Sequence, residues 1–475
     1  MVKFYVFITV LLMSLTVAYL ELTGTSMSSE LSVLTWAPTI ICAAVMLFSR
    51  KEAVFSPMFI LYNIILFGNS IRYIVLSLYQ DEFSVRFTLF NLTPSEFEAG
   101  SQIFAVGVIS MCAGYVLSAV RPIMYQRNLP NYRNQVRPLL LWPAIGAFFA
   151  ILSYYLLQTG VLSDFSAKRI MVDAAGNEFS FGPLRFILSI ALVFFQLLLV
   201  YAFVNKSLNS RVVVMGIAII FILVYAVTLS KRSTLLISFL PLGLIILYQF
   251  RFTQTHRYIL GGLLTISLVL FISLERKRTV NNVGTVVEAP VSQLLKEIFF
   301  SGNFSGLVAT SISTVVVEDV PPFEGTTFYV DPITQFIPRT MWPDKPEELG
   351  GRIRQYHQTS GFAPKGYTRG GTAPGLISES WLNFRMGGVI FIMLLYGFIL
   401  GELYRRFLSG WITNDYFAAI YLCYLPILTL NCFGGHFARL VLMTVSFSMG
   451  VIMLQILRKA DLRFGRPAYG MPQNL

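Results

Sequence analysis

Residues 375–406 read GLISESWLNFRMGGVIFIMLLYGFILGELYRR. The stretch changes character once, near Gly387. From 387 to 404 it is apolar enough and long enough to cross a bilayer, which takes about 20 residues at 1.5 Å each. Before Gly387 it is polar, with Glu379, Asn383 and Arg385. Upstream of it lies a polar interruption, residues 275–385, of about 110 residues, where neighbouring helices are usually joined by a few. The rest of the chain is apolar runs and short loops.

Composition agrees with that reading. The 475 residues are 55% hydrophobic and 13% charged. Mean hydropathy is +0.66. The runs are continuous rather than alternating, which argues against a membrane β-barrel and for an all-α polytopic membrane protein. About twelve spans are predicted, at 3–20, 31–48, 54–79, 98–120, 138–157, 184–204, 212–229, 233–250, 258–274, 387–404, 414–431 and 438–457. The organisation expected is a bundle of about nine spans over 1–274, a loop subdomain over 275–386 and three spans with a tail over 387–475.

The formal charge of +12 has a topological explanation. Arg50-Lys51, Arg121, Arg127, Arg133, Arg137, Lys206, Arg211, Arg251, Arg257, Arg405-Arg406 and the tail Arg458, Lys459, Arg463 and Arg466 fall in loops on one face. Loops 21–30 and 80–97 opposite carry acids and few cations. The positive-inside rule then places both termini in the cytoplasm and loop 275–386 outside. Nucleic acid is not expected as a partner, because the positive charge follows membrane topology. The four cysteines Cys42, Cys112, Cys423 and Cys432 sit in or beside apolar runs, with no metal or disulfide spacing. The N-terminal run reads as a first anchor helix rather than a cleaved signal.

The long loop reads as structured. It keeps aromatics and apolar helical patterning at 291–300 and 307–316, and Gly and Pro divide the remainder into turns and short helices. Residues 339–385 hold seven Lys or Arg against four acids. Arginine's planar fork suits phosphate oxygens, so Arg339, Arg352, Arg354 and Arg369 are candidate diphosphate ligands. Surface ion pairs to Asp344, Glu347 and Glu348 would account for the same arginines. Arg72 in the third span, Arg169 in loop 158–183, Arg232 in a tight outward turn and Arg439 at the start of the last span are further substrate-binding candidates. Snorkelling to the interface would also explain Arg232.

Candidate bases are Glu379, His357, His436 and Asp331. Glu379 is favoured because it precedes an apolar span and would be partly desolvated. No P-loop, G-x-G-x-x-G, H-E-x-x-H or G-x-S-x-G appears in a fitting context, and no paired outward carboxylates suggest a metal. Neither cofactor nor metal is expected.

Three segments resemble Wzy-type O-antigen polymerases. Residues 336–346, Phe-Ile-Pro-Arg-Thr-Met-Trp-Pro-Asp-Lys-Pro, are similar to a Pro-Arg…Lys-Pro segment of that family. Arg339 and Gly350 match its Arg-x10-Gly pattern. Residues 379–388, Glu-Ser-Trp-Leu-Asn-Phe-Arg-Met-Gly-Gly, resemble its Glu…Asn-Phe-Gly…Gly stretch. The layout of about a dozen spans with one large outward loop is also similar. Two departures stand out: no Gly follows Arg169 at the family spacing, and Arg385 replaces a common Gly.

The resemblance implies a GT-C-like, metal-independent, inverting glycosyltransferase of the bacterial inner membrane. Its donor and acceptor would be undecaprenyl-diphosphate-linked oligosaccharides, and a chain-length regulator is a partner expected of the family. Arg339 would hold the donor diphosphate, and Glu379 or His357 would assist proton transfer. An O-antigen ligase is the nearest alternative; its corresponding segment carries a His where this chain has Ser378-Glu379. A lipid-linked oligosaccharide flippase is the alternative from another class.

Overall fold

The structure is a computed structural model. It describes residues 29–48, 55–71, 94–119, 138–158, 182–204, 211–228, 232–249, 323–337, 374–411 and 415–464, with scattered positions within 7–18, 253–263 and 341–352. All the secondary structure among these residues is helical. In chain order the elements are α1 (Ser29–Phe48), α2 (Pro57–Ile65) running into a π-helical segment (Leu66–Ile71), α3 (Pro94–Ala119), α4 (Pro138–Gln158), α5 (Gly182–Val204), α6 (Arg211–Thr228), α7 (Arg232–Gln249), α8 (Thr326–Thr334), α9 (Gly375–Trp411), α10 (Asp415–Gly434) and α11 (Phe437–Phe464).

Among the described residues, four helices are long and apolar enough to cross a membrane, over Ser95–Ser118, Phe186–Phe203, Gly375–Ser409 and Phe437–Ile456. Shorter apolar helices cover Val33–Met46, Pro57–Ile71, Leu141–Leu157, Val212–Tyr225, Ser238–Leu247 and Ala419–Phe433. The chain therefore has the make-up of an α-helical membrane protein. Helices α1, α3 to α7 and α10 fall on apolar runs read from the sequence, within a few residues at each end. The run 54–79 is divided, with a π-helical segment after Ile65. The runs at 3–20 and 258–274 lie largely outside the described residues, as do 291–300 and 307–316.

The N-terminus of α2 obeys local rules. Ser56 caps α2, its Oγ accepting the Met58 N–H at 3.2 Å, and Pro57 occupies the first position, where no N–H is needed. Buried polar groups between helices find partners, as they must in an apolar interior. The Thr39 and Ser70 hydroxyls meet at 2.7 Å, and those of Ser56 and Tyr115 at 2.8 Å. Tyr421 donates to the Phe55 carbonyl at 2.9 Å and Tyr396 to that of Leu428 at 2.7 Å. Gln196 on α5 donates to Ser238 on α7 at 2.6 Å. All four cysteines are buried and reduced, with Cys42 and Cys112 sulfurs 3.7 Å apart.

The centre of the bundle is the pair α3 and α9, the most extensively packed helices. They run parallel. Gly397 lies on Met111, Gly401 on Tyr115, and Ser118 beside Glu402. A side chain on Gly114 would collide with the Leu394 carbonyl, and one on Gly397 with the Met111 carbonyl. Backbones this close are the signature of small residues at membrane helix crossings, and Gly397 and Gly401 form a G-x-x-x-G pair. At the end of this pair Glu402 accepts from Arg405 at 2.8 and 2.9 Å and from Arg406 at 2.9 Å, a charged rim.

Candidate functional site

Helix α9 is two helices. Arg385 has φ 59° and ψ −153°, a non-helical pair between 375–384 and 386–411. The chain folds back there. The Ser380 carbonyl oxygen stands 3.0 Å from where a Gly388 Cβ would sit. Eight residues of straight helix would separate them by ~12 Å. Ile377 consequently packs on Gly107 of α3, not beyond the start of that helix. The boundary drawn from the sequence at 386/387 falls inside this element. Residues 375–384, read as loop, belong to the bundle.

Two contacts pin the folded-back segment. The Gly375 N–H donates to the Gly435 carbonyl at 2.8 Å, which ties the segment to the α10–α11 turn. The break also leaves the Leu382 carbonyl available, and it accepts the Phe323 N–H at 3.2 Å.

Glu379 lies in this segment and is 1% exposed. Its Oε2 accepts the Phe437 N–H at 2.6 Å. That N–H opens α11, so the carboxylate sits at a helix N-terminus, where the backbone favours negative charge. Oε1 is buried and makes no hydrogen bond of full geometry, but the Thr327 hydroxyl lies near enough to interact with the carboxyl. His436 and Asp331 are close enough to act electrostatically on it. The His436 Nδ1 accepts the Arg439 N–H at 3.1 Å, and its carbonyl accepts the Leu440 N–H at 3.0 Å. A ring nitrogen that accepts leaves the N–H of neutral imidazole on Nε2.

The cover over this carboxyl is α8. Asn383 holds it with a fully used amide. The Gly325 N–H donates to Oδ1 at 3.0 Å, while Nδ2 donates to the Thr327 hydroxyl at 2.8 Å and the Glu379 carbonyl at 2.7 Å. Gly325 precedes α8 with φ 84°, a conformation open to glycine without steric cost. The Phe328 ring then lies between those of Phe384 and Phe437, with centroids 5.9 and 4.9 Å away.

Arg352 has a structural engagement. It forms an ion pair with Asp331 of α8, sits 3.5 Å from the Thr326 hydroxyl and lies over the Phe323 ring at 5.6 Å. The arginine read as a diphosphate ligand is bonded to a carboxylate of its own chain. That carboxylate, Asp331, lies 21 positions away in the chain. Asp331, read as a candidate base, is 3% exposed and bonded to the same guanidinium. Arg352→Ala would take the guanidinium away from that buried carboxylate, at a cost of about 2 kcal/mol given the arginine's partial exposure. Amide hydrogen exchange over 323–337 should accelerate by more than tenfold. Unchanged exchange would show that the pair does not hold α8 down.

Of the remaining candidates, Arg439 lies in the first turn of α11, two residues after the Phe437 whose N–H binds Glu379. Arg232 is the first residue of α7. Arg72, Arg169, Arg339, Arg354, His357 and Arg369 lie outside the described residues. The structure thus brings together Glu379, His436, Arg439, Asp331 and Arg352. Sequence reasoning missed Asn383, Thr327 and the fold-back at Arg385. Gly388 was a visible cue, since the close approach of the Ser380 carbonyl leaves little room for a side chain there.

Among the described residues no three His, Cys, Asp or Glu side chains converge as a metal-binding set. No protein-family model, curated protein or solved structure matches this chain.

Proposed function

We propose that the chain is a membrane glycosyltransferase that polymerises undecaprenyl-diphosphate-linked oligosaccharides, with Glu379 as its base. The observation that carries this reading is the buried Glu379 carboxyl, with Oε2 held by the Phe437 N–H and Oε1 beside the Thr327 hydroxyl without a full hydrogen bond. Ile377, two residues earlier, touches Gly107. From Gly107 to Ser118, beside the Glu402 rim, is about eleven residues of α3, or ~17 Å. A hydrocarbon core is ~30 Å thick. The carboxyl therefore lies within the apolar depth, where ionisable groups are costly and tend to be functional.

In this reading the acceptor hydroxyl oxygen attacks the anomeric carbon of the donor sugar. The bond to the diphosphate oxygen breaks, and undecaprenyl diphosphate departs with the electron pair. The hydroxyl proton passes to Oε1 of Glu379. Arginines of segment 339–369 would hold the diphosphate and stabilise its charge as the bond breaks. Since α8 covers the carboxyl, α8 must move aside for the hydroxyl to arrive.

The test is purified protein with undecaprenyl-diphosphate-linked repeat units, without nucleotide or core acceptor. Longer lipid-linked chains are expected; translocation in vesicles with no lengthening would overturn the reading. Arg339→Ala is expected to abolish extension while the protein inserts normally, as read by gel analysis of products beside membrane fractionation. Full extension by that variant would remove Arg339 from the mechanism.

One observation favours a second reading, a transporter of lipid-linked oligosaccharides. Broken helices that carry polar groups into the bundle are how many transporters build a site. Residues 375–384 have that form, and vesicle translocation decides between the two.

A further inference from the structure

We infer that Arg385 is a phosphate-binding residue, held at the break of α9 for the anionic headgroup of the lipid-linked substrate. The inference rests on the polymerase reading above and names a ligand residue for it. Two independent observations meet at this position.

The first is conformation. A φ of 59° with ψ −153° belongs to a region populated almost only by glycine. Arg385 and Glu324 are the non-glycine residues with positive φ among those described. A glycine here would allow the same fold-back without strain, and the next two residues but one are glycines already. An arginine at such a position holds the break open at a cost that folding alone does not require.

The second is the state of its side chain. The guanidinium Nη1 is buried and has no hydrogen-bond partner. None of the ion pairs among the described residues includes Arg385: Arg352 is matched by Asp331, and Arg405 and Arg406 by Glu402. A guanidinium stays charged at any physiological pH. Left half-buried and uncompensated, it is an open donor set whose natural complement is an oxyanion with several oxygens, such as a phosphate or diphosphate. The neighbouring backbone is fixed, since Asn383 is bonded on both faces of its amide and Phe384 packs on Phe328. The donor is therefore presented from a rigid hinge.

The experiment uses the full chain in nanodiscs and two probes, undecaprenyl diphosphate and inorganic diphosphate. Wild-type protein is expected to bind the lipid diphosphate. Arg385→Gly should weaken that binding at least tenfold while the melting temperature stays equal or rises. Arg385→Lys, which keeps a charge without the fork, should recover part of the affinity. Undiminished binding by Arg385→Gly, or a lower melting temperature in it, would overturn the inference and leave the polymerase reading standing. Failure of the wild type to bind the lipid diphosphate would overturn both. Equal affinity for inorganic diphosphate would reassign the site to the free anion and overturn the lipid-linked form of the inference.

Discussion

Glu379→Gln is expected to lower chain extension by at least ~10²-fold, the range over which a positioned base acts. The substitution is nearly isosteric. Its amide oxygen can still accept the Phe437 N–H, so the start of α11 and the packing of Asn383 and Thr327 should persist. Only Oε1 is lost, replaced by an amide nitrogen that cannot take a proton from a hydroxyl. The measurement is the rate of lipid-linked product lengthening, with thermal unfolding in detergent as the control. Retained activity would eliminate Glu379 as the base. A fall in activity matched by a large fall in melting temperature would show instead that the carboxyl serves the α8, α9 and α11 junction alone.

Gly397→Leu is expected to have the largest effect on folding. Even a Cβ at this position would enter the Met111 carbonyl. A flexible neighbouring side chain could turn away; a helical carbonyl cannot move without moving α3. Forcing such a group into a packed seam should cost more than ~3 kcal/mol. The expected result is loss of the monodisperse species on size exclusion in mild detergent. Gly387→Leu is the control, because a Cβ there meets open space. Equal behaviour of the two variants would refute the close crossing of α3 and α9.

The parts of the fold that were legible in the sequence are those set by local composition. Helices such as α5 and α6 are apolar runs bounded by polar loops, so their limits could be read directly. The junction at Arg385 could not. One backbone conformation decides whether 375–384 projects from the bundle or returns into it, and periodicity is the same on both sides. Glu379 was legible because a carboxylate beside an apolar run is unusual. Its partner, a backbone N–H 58 positions away, was not. Arg352 shows the same limit: its bond to Asp331 spans 21 positions, and nothing in the local sequence marks that pairing. The G-x-x-x-G at Gly397 and Gly401 marked a crossing without naming α3 as the helix crossed.

The α3–α9 seam also fixes an order of assembly. Ser118 and Glu402, which meet at one end of it, are 284 positions apart. At ~5–20 residues per second of synthesis, α3 waits roughly 15 to 60 seconds for its partner. Through that interval the glycine face of α3 stays open, and what lies against it must be something that later yields: lipid, the insertion machinery or another early helix. A chain that stops before residue 375 would keep that face open permanently, with the most intimate crossing of the bundle never made. Quality control in the membrane would have a simple cue for an unfinished copy.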